Sequence, residues 1–134
     1  MRGCCLPAVL TVFAALAAGC SSSTTAAVQG KVSYGGEPID VGTIAFIPKS
    51  EGGIKTGGLI DNGAYSVEAK VGPAPGTHLV EIRWARPTGK TSKNEFGEEI
   101  QIRREGLPEK YHNQSTLTAE IKAGKNVIDF ALEK

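Results

Sequence analysis

Apolar and polar residues alternate along most of the chain after residue 27, with a period of two and breaks at glycine, proline and asparagine. Thr77 to Ala85 (THLVEIRWA) carries the clearest case, with His78, Val80, Ile82 and Trp84 on one face. Successive side chains of a strand point to opposite faces, so this pattern predicts a strand with one side in a core. Val28 to Tyr34 alternates likewise, placing Val28, Gly30, Val32 and Tyr34 together. Gly35-Gly36-Glu37-Pro38 follows as turn chemistry, free φ and then a fixed one. Thr43 to Ile47 is a β-branched and aromatic run stopped by Pro48, and Ile54 to Ile60 leads into Asp61-Asn62-Gly63. Asn-Gly tolerates positive φ at both turn positions, so a hairpin is expected there, with Tyr65, Val67 and Ala69 facing one way beyond it. Near the C-terminus Leu117, Ala119 and Ile121 form one stripe and Ile128, Phe130 and Leu132 another, turned by Gly124-Lys125-Asn126. No segment in this region holds an apolar 3.6-residue period for three turns. About seven strands with hairpin-length connections predict an all-β, antiparallel sandwich.

The alternation lapses between Arg86 and Leu107. That stretch has five Lys/Arg and four Glu, with Phe96, Ile100 and Ile102 as its main apolar residues. The expectation is a loop containing a weak edge strand over Glu98 to Arg103, whose charges discourage edge-to-edge pairing.

The first residues follow another pattern. Met1 to Cys5 carries one charge, Arg2, and Leu6 to Ala18 is apolar except for Thr11. Thirteen residues are too few to cross a hydrocarbon core as a helix, which needs about 20; they match the apolar region of a secretory signal. Ala17-Ala18-Gly19-Cys20 resembles the lipobox of bacterial lipoproteins, Leu-Ala/Ser-Gly/Ala-Cys, with Ala17 where that pattern has leucine and Leu16 one place earlier. The resemblance implies cleavage before Cys20, diacylglycerol on its thiol and usually a further acyl chain on the new amine. Ser21 in place of aspartate would then sort the protein to an outer membrane, facing the periplasm or the cell surface. The expected organisation is a signal peptide over 1–19, an acylated cysteine and flexible tether over 20–27, and one sandwich domain over 28–134. Two or three acyl chains anchor firmly, since each buried CH2 contributes about 0.8 kcal/mol and one chain alone is marginal.

Composition narrows the functions available. The cysteines are Cys4, Cys5 and Cys20, so a chain processed at Cys20 has no disulfide to form. Its domain, of ordinary size for a single core, must be held by packing. Removing Arg2 from 15 basic residues leaves 14 against 14 acidic ones. There is no basic field for nucleic acid and no acidic tail for cations.

Taken together, VQGKVSYGGEPIDVGTIAFIPK, DNGAYSVEA and APGTHLVEIRW resemble carboxypeptidase-regulatory-like, or transthyretin-like, domains. LPEKYHNQSTLTAEIKAGKNVIDFALEK resembles the C-terminal half of small lipoproteins of this type from planctomycete-like bacteria. The resemblance spans nearly all of residues 28 to 133 and implies a Greek-key sandwich. Its motifs are turn glycines and core alternations, which identify a fold and carry no catalytic residues.

Candidate chemistry is sparse. His78 shares the stripe of Val80, Ile82 and Trp84 and reads as a partly buried strand-end residue, while His112 follows Lys110-Tyr111 in a polar turn. Two histidines so far apart show no zinc-ligand spacing. There is no EF-hand-type calcium loop, phosphate-cradling glycine loop or Gly-x-Ser-x-Gly elbow. Glu98 and Glu99 are adjacent and so point to opposite faces of a strand. The hydroxyisourate hydrolases of the transthyretin-like fold end in a Tyr-Arg-Gly-Ser-like tail, whereas this chain ends Phe130-Ala131-Leu132-Glu133-Lys134. Trp84 and Tyr111 raise the alternative of a carbohydrate- or peptide-binding module, Trp84 from within the core stripe and Tyr111 from a more exposed setting. The reading that results is a lipid-anchored, non-catalytic envelope sandwich with a structural or protein-interaction role. It has no catalytic residue, metal or cofactor. Its partners are the membrane, through acyl chains on Cys20, and an envelope protein or glycan.

Overall fold

The computed structural model describes residues 24–134. The expected signal peptide, Cys20 and the first residues of the expected tether lie outside the described residues. The remainder is all-β. Ten strands follow in order: β1 (Ala27–Tyr34), β2 (Glu37–Pro38), β3 (Val41–Pro48), β4 (Thr56–Asp61), β5 (Ala64–Val67), β6 (Gly76–Lys93), β7 (Glu99–Glu105), β8 (Thr118–Ile121), β9 (Lys125–Val127) and β10 (Phe130–Leu132). Single 3-10 turns lie at Ala69–Val71 and Glu109–Tyr111. The strands form one unclosed network in the order β10-β1-β5-β4-β3-β6-β7, with β2 and β9 also on β1 and β8 on β6. The count exceeds seven by β2 and β9, which form in or beside segments read as turns, and by β7, which was expected only as a weak edge strand.

The longest strand is β6. His78, Val80, Ile82 and Trp84 are all buried on its inner face. Its partner β3 sets Ile44 opposite Ile82 and Phe46 opposite Val80, so the alternating residues of both strands fall on one side. The network folds onto itself over this face. Phe46 lies 6.2 Å from Tyr65 of β5, and Tyr34 of β1 lies 6.1 Å from Trp84, ring centre to ring centre. The second contact joins strands four places apart in the sheet order, which makes the arrangement a sandwich.

The Asn-Gly hairpin forms as its residues require. Asn62 and Gly63 have φ of 49° and 78°, and Ile60 and Asp61 pair with Tyr65 and Ala64. Gly63 N donates to Ile39 O at 2.7 Å, tying the turn to the segment between β2 and β3.

Three expectations are corrected. First, within the expected antiparallel sandwich β9 and β10 are exceptions, pairing with β1 in parallel. They lie against β1 and not against the preceding β8, so no hairpin sets their direction. The single C-terminal stripe breaks at Ile128-Asp129. There Ile128 N donates to Gln29 O, Tyr65 Oη donates to Ile128 O at 2.7 Å, and Lys31 N donates to the Asp129 carboxylate. Gly30 permits this crossing, because a Cβ there would collide with the Ile128 carbonyl. Burial, and then the charge of Asp129, raise the pKa of the Tyr65 phenol well above its ordinary value.

Second, the tether does not extend through Ala27. Ala26 is fully buried, its N–H donates to Pro73 O at 2.8 Å, and the Thr25 hydroxyl donates to Ala69 O. A small apolar residue with its backbone bonded belongs to the domain. Ala27 already stands in β1.

Third, residues 86–107 are not mainly a loop. The second half of β6 continues to Lys93 and pairs with β7 as a two-stranded ribbon, with an irregularity between Pro87 and Thr91. Asn94 closes its tip: its carboxamide oxygen accepts from Phe96 N and Glu98 N at 2.9 Å each. The ribbon lacks a buried face, which is why an apolar-periodicity argument finds only the weak edge strand over Glu98 to Arg103, where β7 forms, and misses the second half of β6. Main-chain pairing and a tight turn hold it together.

Candidate functional site

Trp84 sits where β6 leaves the core and becomes the ribbon. Its ring is buried, with Tyr34 edge-on and Tyr111 beyond at 6.3 Å from Tyr34. The indole N–H donates to Asp40 Oδ1 at 2.7 Å, and the Arg86 guanidinium stacks 4.9 Å above the ring centre. Arg103 of β7 reaches back to donate to Asp40 Oδ2 at 3.1 Å and to Ala85 O at 2.8 Å. The indole hydrogen bond is the main cause of a lowered Asp40 pKa, and Arg103 adds to it while partial desolvation opposes.

Glu105 closes the base from the other side. Its Oε1 accepts from Trp84 N at 3.0 Å and Leu107 N at 3.1 Å, while Gly106 N donates to Trp84 O. Arg83 lies 3.7 Å from Glu105 Oε2 and donates to Asn113 Oδ1 at 2.7 Å. His112 is buried beside it. With Nε2 donating to Leu107 O at 3.1 Å, Nδ1 is left as acceptor for Arg83 at 3.5 Å; that tautomer follows from its partners. These groups mostly satisfy one another. They clamp the ribbon to the sandwich beside a shallow groove lined by Gly42, Thr43, Arg83, Arg103 and Arg104.

Beyond the clamp both strands of the ribbon are exposed throughout. Phe96 at its tip is 86% exposed, and Ile100 and Ile102 are 47% and 36% exposed. Alternation along β7 puts Ile100, Ile102 and Arg104 on one face and Glu99, Gln101 and Arg103 on the other. Glu98 accepts from Asn94 Nδ2 at 2.8 Å in the turn, so the adjacent glutamates do not converge.

The structure separates the two histidines. His78 is 1% exposed at the far end of β6, with Nδ1 3.1 Å from Gly76 O and the ring edge-on to Phe46. Its Nε2, like Thr56 Oγ1, is buried without a hydrogen-bond partner. His112 was expected in a polar turn but is buried, because the 3-10 turn folds it under Arg83 and Leu107. Tyr111 is likewise buried and not exposed: its hydroxyl donates to Glu133 O at 2.7 Å and accepts from Glu133 N. Among the described residues no group of three or more His, Cys, Asp or Glu is placed to hold a metal ion. No helix of the described residues is long and apolar enough to cross a membrane. Sequence reasoning missed the roles of Asp40, Arg103 and Glu105, although the Ile-x-Ile alternation in Glu99–Glu105 was visible.

No family model matches the chain, nor does any curated protein or solved structure.

Proposed function

We propose that this protein is a lipid-anchored β-sandwich of the bacterial cell envelope that acts by presenting the ribbon of β6 and β7 to a protein partner. The carrying observation is the ribbon itself, clamped at its base by Asp40, Arg103 and Glu105 and bearing exposed Phe96, Ile100 and Ile102. Loops and projections on a rigid scaffold are where binding residues concentrate. The anchor rests on the lipobox-like Ala17–Cys20 after an apolar segment. A non-catalytic role is supported by the clamp, whose polar groups are mostly occupied with each other. Trp84 and Tyr111 are buried, so the aromatic platform that a glycan-binding reading needs has no support from them.

Replacing Thr88 to Gln101 with a short Gly-Ser turn tests the reading. The altered protein should remain folded and membrane-associated yet lose its partner in in-cell cross-linking. Retention of the same cross-linked species would put the interaction surface elsewhere.

A further inference from the structure

The free edge of β7 is self-complementary, and we propose that two copies of this chain pair through it as a symmetric antiparallel dimer centred on Gln101. This deepens the interaction reading above and rests on it, the partner being a second copy. The edge is open, because β7 ends the strand order and pairs only with β6. Asn94 N donates to Glu98 O, and the Thr88 hydroxyl donates to Ile102 O, so the even-numbered carbonyls face β6. By the alternation of an antiparallel ladder, the backbone groups of Glu99, Gln101 and Arg103 then face outward.

The side chains select one register. A two-fold axis perpendicular to the sheet requires the numbers of facing residues to add to an even total. With Gln101 opposite itself, Glu99 faces Arg103 of the second copy, and Ile100 faces Ile102. The same pairs repeat on the other side of the axis. Moving the centre to Ile102 sets Glu99 against Glu105, and moving it to Arg103 sets two arginines together. Centring on Ile100 leaves Glu99 opposite Gln101 and pairs neither charge. Opposite charges and apolar residues directly across a pair stabilise it, whereas like charges oppose it. Charges on an edge strand usually block pairing; here, at one register, they complete it. The exposed Ile100 and Ile102 would then form a four-residue apolar stripe across the junction.

The test is disulfide cross-linking of the full chain in detergent, with the parent chain as the background for its own cysteines. Cα atoms of facing hydrogen-bonded residues lie about 5.5 Å apart, within the roughly 4.4–6.8 Å that a disulfide spans. Gln101→Cys should therefore give disulfide-linked dimer on mild oxidation. Glu99→Cys should give about tenfold less, since its two copies would stand roughly 14 Å apart, four residues of strand rise. Adding Glu99→Lys to Gln101→Cys, which sets lysine against Arg103, should lower the yield. Equal yields from Glu99→Cys and Gln101→Cys, no dimer from Gln101→Cys above the parent, or a Gln101→Cys chain linked to a different protein would each overturn the proposal. In detergent the outcome does not depend on a membrane anchor, so failure of the dimer and failure of the anchor are distinguishable.

Discussion

Asp40 is one of the side chains that join the ribbon to the sandwich. It accepts from the buried indole of Trp84 and from Arg103, two residues far away in sequence. Asp40→Ala should leave the indole N–H without its acceptor and cost about 1–3 kcal/mol in urea unfolding, the penalty of an orphaned buried donor. Asp40→Asn keeps an acceptor and loses only a partly exposed ion pair, so it should cost under about 1 kcal/mol. Trp84 is the chain's one tryptophan, and its fluorescence reports both transitions. The lowered pKa of Asp40 fixes the direction of the pH effect. Across the interval below its ordinary 3.8 the unfolded state binds more protons than the folded one, so stability rises with pH there. The stability Asp40 supplies is present above that value and lost as pH falls through the lower, folded one. The difference between wild type and Asp40→Ala should accordingly be constant from pH 7 to about pH 5 and shrink towards pH 2. A difference that grows on acidification would contradict the assignment. None of this was legible in the sequence, where no pattern singles out Asp40.

At the scale of elements, local chemistry decides what could be read in advance. The β4–β5 hairpin was legible because Asn62 and Gly63 alone specify positive φ. Gly63→Ala should destabilise by about 1–3 kcal/mol, since alanine would be strained at φ 78° and its Cβ would lie 2.7 Å from that of Pro38. An unchanged denaturation midpoint would show that the turn relaxes. The ribbon was legible only in part: β7 falls on the weak edge strand expected over Glu98 to Arg103, but every residue from Arg86 to Lys93 and from Glu99 to Glu105 is exposed, so nothing beyond Ile100 and Ile102 marks it. It follows that the ribbon contributes little to global stability. The Thr88 to Gln101 replacement, which spares Arg103 and Glu105, should shift the unfolding free energy by no more than about 0.5 kcal/mol. A larger loss would mean that the ribbon is part of the cooperative core.

Across the whole molecule, the stripes of β1, β3 and β6 made the sandwich class readable, because each core residue there follows from its own strand's alternation. The parallel attachment of β9 and β10 was not readable, since it depends on Gly30 meeting Ile128 across almost the length of the chain. No cysteine occurs among residues 24–134, so no disulfide within them holds the domain. Its unfolding midpoint should be the same with and without reductant, whereas a native disulfide would contribute about 2–5 kcal/mol. The proposed role requires this body to hang from a membrane by Cys20, with the ribbon directed outward. The most direct test is the intact mass and N-terminal peptide of protein extracted from membranes of the native host. The account predicts a chain beginning at Cys20 and carrying diacylglycerol on its sulfur. A chain that keeps Met1 to Gly19, or one cleaved elsewhere with an unmodified Cys20, would contradict it.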